Sequence, residues 1–235
     1  MRVVVTRPQS DGERTAAALR ARGHDVLVAP LMRVEPVAAD LGGRWGGIIV
    51  TSANAPNAIA DNSARNSFNM LPLFAVGQRS AEAARHAGFT NITSAGGDVH
   101  DLVRTLVVRQ ADAKAPLLYL AGEDRAADLL VELSTRGIAA EMRVVYRAVT
   151  AQFPPALIEA LKAGEVDAVM HFSRRSADNY VAGANKADVA RAALAVRHFC
   201  LSAQVAEPLV GAGNIIVAAR PDEAALFELL EVPSA

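Results

Sequence analysis

Short apolar, β-branched runs recur along the chain. Each is followed by a small polar turn and then by a segment with helical spacing. Val3–Thr6, Asp25–Ala29, Gly46–Val50, Leu73–Val76 and Asn91–Thr93 read as strands. Ser10-Asp-Gly-Glu13 has the form of a capping box, predicting a helix from there to about Arg22, with Gly23 as its left-handed stop. Thr51-Ser52-Ala53-Asn54 opens a helix through Ala60, and Gly77-Gln78-Arg79-Ser80 opens another to about Ala87. Asp98 caps a third, with an apolar stripe of Leu102, Val103 and Leu106. The polar stretch Ser63–Met70 reads as a loop. Strands and helices alternating across short joints predict a mainly parallel α/β sheet.

The pattern then restarts. Leu117–Leu120 is a strand, and Gly122-Glu-Asp124 opens a helix that stops at Gly137. Gly137 follows Gly23 at an offset of 114, and Tyr146-Arg147 follows Met32-Arg33 at the same offset. Ser173 echoes Ser52 at 121, and Phe199-Cys-Leu201 echoes Phe74-Ala-Val76 at 125. Gly96-Gly97 has its counterpart in Ala219-Arg220, with Pro221 placed at the first position of the last helix. Two copies make a duplication, not a solenoid. Two extended segments, Leu31–Val37 and Arg143–Val149, each follow a strand–helix–strand unit. They are expected to cross between two α/β lobes that face a cleft, with Tyr146 pointing at it. The repeat alone leaves contiguous lobes and exchanged lobes equally open.

Composition narrows the class. Over 235 residues, 51% are hydrophobic and 21% charged, enough for a real core. The net charge of −1 provides no basic field for nucleic acid or an anionic membrane. Of the 24 basic residues, 21 are arginine, a side chain suited to carboxylates and phosphates, although base composition of the genome is the blander cause. The single cysteine, Cys200, lies in an apolar run and reads as a buried core thiol. The first residues lack a signal-peptide layout, and no apolar run approaches the ~18 residues of a membrane span, so a soluble cytoplasmic protein is expected.

Ligands of open parallel sheets bind outside the carboxyl ends of the strands. Those ends carry Arg7, Thr51-Ser52, Gly77-Gln78, Gly96-Gly97, Gly122, Ser173-Arg174, Ser202-Ala203 and Arg220. Several precede helices, where free amides and the dipole attract anions. Each also has a plainer reading: Ser52 and Ser173 as helix caps, the glycines as tight turns, Arg7 and Arg174 as solvated charges, Tyr146 as a structural aromatic. The chain lacks G-x-G-x-x-G after a strand, the P-loop signature and the G-x-S-x-G elbow. His24, His86, His100, His171 and His198 lack metal-ligand spacing. Cofactor, metal and covalent catalysis are therefore not expected.

In order and spacing, Val4-Val5-Thr6-Arg7-Pro8, Ile49-Val50-Thr51-Ser52, Ala75-Val76-Gly77 with Ser80-Ala81, Tyr146, Phe172-Ser173 and Ala218-Ala219-Arg220-Pro221 resemble the uroporphyrinogen-III synthase family over nearly the whole chain. The resemblance implies two similar parallel-sheet lobes, flavodoxin- or Rossmann-like, that exchange segments. Residues 1–30 with 150–235 would form one lobe and 38–142 the other. Residues 31–37 and 143–149 would be a two-stranded antiparallel linker. It also implies a reaction: cofactor-free closure of the linear tetrapyrrole hydroxymethylbilane to uroporphyrinogen III, with inversion of the last ring and loss of water. The hydroxyl of the hydroxymethyl group leaves as water and an azafulvene forms. The last ring attacks it through its substituted carbon, and the resulting spiro intermediate fragments and recloses with the ring turned over.

Tyr146 corresponds to the family's linker tyrosine and is the candidate acid. The implied substrate contacts are Arg7, Thr51, Ser52, Ala53, Gly77, Ser80, Gly96, Gly97, Ser173, Arg174, Gln204 and Pro221, with no metal. The second copy departs from the family, with Ser202-Ala203-Gln204 where a Gly–Thr turn is expected and Pro221-Asp222 in place of Pro-Thr. The expected partners are the linear tetrapyrrole and, at most, a transient contact with the upstream hydroxymethylbilane synthase. The chain is expected to be monomeric. The rival readings are a non-catalytic two-lobe binder of an anionic metabolite and a sugar-phosphate-binding α/β protein.

Overall fold

The computed structural model describes residues 1–110, 115–125 and 127–231. In chain order the first elements are β1 Arg2–Val5, α1 Gln9–Arg20, β2 Asp25–Val28, β3 Met32–Pro36, β4 Gly47–Val50, α2 Asn54–Ala58, α3 Arg65–Phe68, β5 Leu73–Ala75 and α4 Gln78–His86. β6 Ile92–Ser94, α5 Val99–Gln110, β7 Leu117–Gly122, a 3-10 turn at Glu123–Arg125, α6 Ala127–Thr135 and β8 Ala140–Thr150 follow. The chain continues with α7 Pro155–Lys162, β9 Ala168–His171, α8 Arg174–Lys186, α9 Ala190–Ala195, β10 Arg197–Cys200, α10 Ala203–Ala206, β11 Ile215–Val217 and α11 Glu223–Glu231.

Two compact units result. Unit 1 is Met1–Arg33 with Val149–Ala235, and unit 2 is Val34–Ala148. The chain thus leaves unit 1 within β3 and returns to it within β8. One sheet has the order β11-β10-β9-β1-β2 and the other β3-β8-β7-β4-β5-β6. Read from opposite ends, β11, β10, β9, β1 and β2 correspond to β6, β5, β4, β7 and β8. Each copy of the duplication therefore gives two strands to one sheet and three to the other. The registered pairs among these ten strands are all parallel.

Continuous apolar strands such as RVVV, GIIV and LLYLAG form buried parallel sheets because helices cover both faces. Alternation of side chains divides each strand between two cores. In unit 1, Val4 joins Leu157, Tyr180 and Ala193 beneath α7, α8 and α9, while Val3 and Val5 join Leu19 of α1 and Leu226 of α11. In unit 2, Ile48 and Val50 join Ala55, Phe68 and Ala84, while Ile49 joins Leu102, Leu106 and Leu133 of α5 and α6. Each buried Leu contributes about 1.5–3 kcal/mol of apolar transfer.

Three expectations change. α1 begins at Gln9 after an extended Pro8, so Ser10 lies inside the first turn and no capping box forms. The Gly12 amide already donates to the Pro8 carbonyl at 2.8 Å. Ser63–Met70 is not all loop: Phe68, 3% exposed, is buried and draws Arg65–Phe68 into a helical turn. Pro221 is not the first helical residue. Asp222 caps α11 instead, its Oδ1 accepting the Ala225 amide at 2.8 Å.

The stops at Gly23 and Gly137 hold, with φ of 83° and 72°, at matching ends of α1 and α6. The copies differ one step further on. Pro30, which lacks an amide, separates β2 from β3, whereas β8 runs unbroken through the equivalent point with only a shift in register opposite Ala121 and Gly122.

Candidate functional site

The candidates in unit 2 lie along one edge of its sheet. Thr51-Ser52-Ala53 leaves β4, Gly77 leaves β5, Gly96 and Gly97 follow β6, and Gly122 ends β7. Tyr146 belongs to the same edge although it lies within β8, because it pairs with Gly122 where β7 ends. Its half-buried ring covers that glycine: a Cβ built on Gly122 would fall 2.5 Å from the ring Cζ and 2.7 Å from the hydroxyl.

Gly77 and Gly97 meet as backbone. A Cβ on Gly77 would be 3.8 Å from the Gly97 Cα, and the Gly97 amide donates to the Val76 carbonyl at 3.0 Å. Gly96 has φ 104°, which favours glycine, and a Cβ there would meet nothing within 4 Å. Gly77 is the N-cap of α4 and offers no side chain to the first-turn amides. The first-turn amides of α4 therefore have no side-chain cap, and buried Ser80 lies on that turn. The Ser52 hydroxyl accepts the Asn54 amide at 3.2 Å and shapes the turn into α2.

Sequence reasoning missed Tyr119. It reads as one more apolar strand residue, yet its phenol oxygen lies 2.9 Å from the Thr51 hydroxyl. Burial raises its pKa. The Thr51 bond lowers it, and the nearby Tyr146 adds to the rise. The signal available in the sequence was a lone tyrosine in the otherwise aliphatic run Leu117–Leu120.

Unit 1 presents Arg7, Ser173, Gln204 and Pro221 at the carboxyl ends of β1, β9, β10 and β11 respectively. Ser173 is the N-cap of α8, its hydroxyl accepting the Ser176 amide at 3.2 Å. The exposed Arg174 pairs with Glu207 at 2.6 Å. Gln204 is exposed on the short α10. Arg7 faces inward and is largely occupied. It donates to Glu223 at 2.8 Å and to Thr15 at 3.2 Å, and its guanidinium lies 4.4 Å from the Phe172 ring centre. Burial opposes the Glu223 charge, but bonds from Thr15 and Arg14 and the charges of Arg14 and Arg7 outweigh it and hold its pKa below the usual range.

Two further groups in unit 1 stay away from the edge chemistry. His171 and His198 are fully buried, joined Nε2 to Nδ1 at 3.1 Å, and flanked edge-on by Tyr180. Burial pushes both imidazoles far below their ordinary pKa, and His198 depresses His171 further. Cys200 is buried, with its thiol pushed up to about 12 by desolvation. A cavity of about 320 Å³ lined by Phe153, Asn179 and Lys186 flanks α8, and one of about 460 Å³ lies by Asp167, Arg197 and Asn214, before the strands begin. Neither is at the carboxyl edge. Among the described residues, no group of three or more His, Cys, Asp or Glu is placed to hold a metal, and no helix is long and apolar enough to cross a membrane.

Two doubly wound sheets of matched order, each with hydroxyls, glycines or arginines at its carboxyl edge, define a duplicated α/β protein. The family model for uroporphyrinogen-III synthase HemD matches residues 13–228. The chain belongs to the uroporphyrinogen-III synthase family. Its fold is similar to that of uroporphyrinogen-III synthetase from Helicobacter pylori 26695, with a TM-score of 0.64 at 18% identity over 98% of both chains. A mutant uroporphyrinogen III synthase from the extremely thermophilic bacterium Thermus thermophilus matches 98% of this chain and 97% of its own at 17% identity, with a TM-score of 0.48. Among curated proteins, none matches the chain. Family membership makes the chain a lyase of porphyrin biosynthesis, closing hydroxymethylbilane to uroporphyrinogen III with inversion of ring D and loss of water.

Proposed function

We propose that the chain performs this closure without a cofactor, chiefly by holding one conformer of its substrate, with Tyr146 giving a proton to the departing hydroxyl. The observation that carries the reading is the seat of Tyr146 over Gly122, on the edge that also bears Thr51, Gly77 and Gly97. The substrate bears eight carboxylates and closes to the uninverted isomer when left alone. The task is therefore conformational, and amides and hydroxyls at helix N-termini suit it.

Thr51, Ser52, Ala53, Gly77, Ser80, Gly96 and Gly97 are the proposed contacts of unit 2. Ser173, Arg174, Gln204, Pro221 and Arg7 are those of unit 1. The Ser173 cap and the Arg7–Glu223 pair leave those two side chains less free to serve. Asp222 helps α11 as a cap but repels a carboxylate, so the Pro221 turn is the weakest of these contacts. The Gly122 backbone makes room for the Tyr146 ring, which fixes where the phenol stands.

The reading of β3 and β8 as an antiparallel linker is supported by two bonds. Within unit 2 the Val37 amide donates to the Val145 carbonyl at 2.8 Å, and within unit 1 the Ala151 amide donates to the Leu31 carbonyl at 3.0 Å. A monomer acting in the cytoplasm, receiving its substrate from hydroxymethylbilane synthase by at most a transient contact, completes the proposal.

A phenol is a weak general acid, so Tyr146→Phe is expected to lower turnover about 10- to 100-fold and leave the melting temperature unchanged. Unaltered turnover would remove Tyr146 from the chemistry. Wild-type turnover that persists after dialysis against a chelator supports cofactor independence, and loss restored by a metal would refute it.

A further inference from the structure

We propose that Tyr119 is a positioning residue for substrate binding, its buried phenol fixing the Thr51 hydroxyl so that the Thr51 proton is offered to a carboxylate of the linear tetrapyrrole. This rests on the assignment of Thr51 to the substrate site made above.

The strand register creates the contact. Tyr119 of β7 lies beside Ile49 of β4, and its ring joins Ile49 and Phe74 in the core under α5 and α6. From there the phenol oxygen reaches forward to the Thr51 Oγ1, 2.9 Å away, just past the end of β4. Tyr119 is 3% exposed, whereas Thr51 is half-buried. A buried phenol requires a partner, and Thr51 supplies it.

The polarity of the bond follows from the chemistry of the two groups. A phenol is the better donor and a hydroxyl accepts while keeping its own proton. A phenol holds its proton near neutral pH in any case, and burial raises the Tyr119 pKa further. With its lone pair engaged from the core side, Thr51 is left to donate outward. Threonine has few side-chain rotamers, and this bond selects one of them. Without it, the Thr51 hydroxyl could turn back to backbone carbonyls and lose its aim.

The test is a double-mutant cycle on the full chain, with hydroxymethylbilane as substrate and isomer III as the readout. Thr51→Val is expected to raise KM. Tyr119→Phe is expected to raise KM about 3- to 10-fold, the worth of one neutral hydrogen bond, with kcat within about twofold. The double variant should match Thr51→Val alone, since Tyr119 acts through Thr51. Thr51→Ser, which keeps a hydroxyl within reach of Tyr119, should recover most of what Thr51→Val loses.

A Thr51→Val enzyme with wild-type KM would overturn the assignment of Thr51 itself. If Thr51→Val is impaired while Tyr119→Phe keeps its KM, even with a lower melting temperature, only the role of Tyr119 is overturned. Fully multiplicative effects in the double variant would do the same. So would a Thr51→Ser enzyme as poor as Thr51→Val, which keeps the test open even if Tyr119→Phe does not fold.

Discussion

Gly122 and Tyr146 occupy one space: the ring of Tyr146 lies where any side chain on residue 122 would begin, 2.5 Å from an ideal Cβ. Gly122 has no positive φ to account for it, so close approach is the reason glycine stands there. Gly122→Ala must push the phenol aside. Turnover should fall at least as far as in Tyr146→Phe, since a shift of about 1 Å in a reacting group costs on the order of 100-fold. Far-ultraviolet circular dichroism and the melting temperature should stay near wild type. A Gly122→Ala enzyme of full activity would show that the phenol need not stand where it does.

Arg7 is a proposed contact, but Glu223, Thr15 and the Phe172 ring also hold it between β1 and α11. Loss of that grip should act chiefly on stability. Glu223→Gln weakens the bonds to Arg7, Arg14 and Thr15 together and should cost about 1–2 kcal/mol, a value kept low because the pair is part exposed. Denaturant unfolding measures it, with KM expected to move little. A large rise in KM at unchanged stability would instead make substrate binding the main role of the Arg7–Glu223 pair.

The buried histidine pair sets an acid limit. In the unfolded chain imidazoles protonate near 6.5, whereas in the fold His198 does so at about 4 and His171 at about 3. Between those values the unfolded state binds more protons, so stability is complete above about pH 6.5 and is lost as pH falls through 4 toward 3. Melting temperature should decline across that window. Replacing the pair by His171→Phe with His198→Leu should flatten that part of the profile. An unchanged slope would place the acid sensitivity in other groups.

Cys200 should not react with thiol reagents in the folded chain, because desolvation holds its thiol near 12 and burial denies access. One equivalent should react only in denaturant. Rapid labelling of the native protein would contradict its burial.

Much of this was legible from pattern alone, because parallel strands buried on both faces write themselves as uninterrupted apolar runs, and helix stops such as Gly23 and Gly137 are local signals. What was not legible was decided at a distance. Phe68 turned a polar stretch helical by packing into the core, and the Pro8 backbone started α1 before Ser10 could cap it. Asp222 captured the cap that Pro221 suggested. In the site, the carboxyl-end rule located the edge residues, but it could not show that Arg7 turns inward or that Tyr119 reaches Thr51. Both facts depend on side chains meeting across elements far apart in sequence.

The most direct measurement is the isomer composition of the uroporphyrin formed when purified protein meets freshly generated hydroxymethylbilane. An excess of isomer III, appearing faster than the spontaneous closure, is the predicted result. Isomer I alone, at the rate seen without protein, would contradict it.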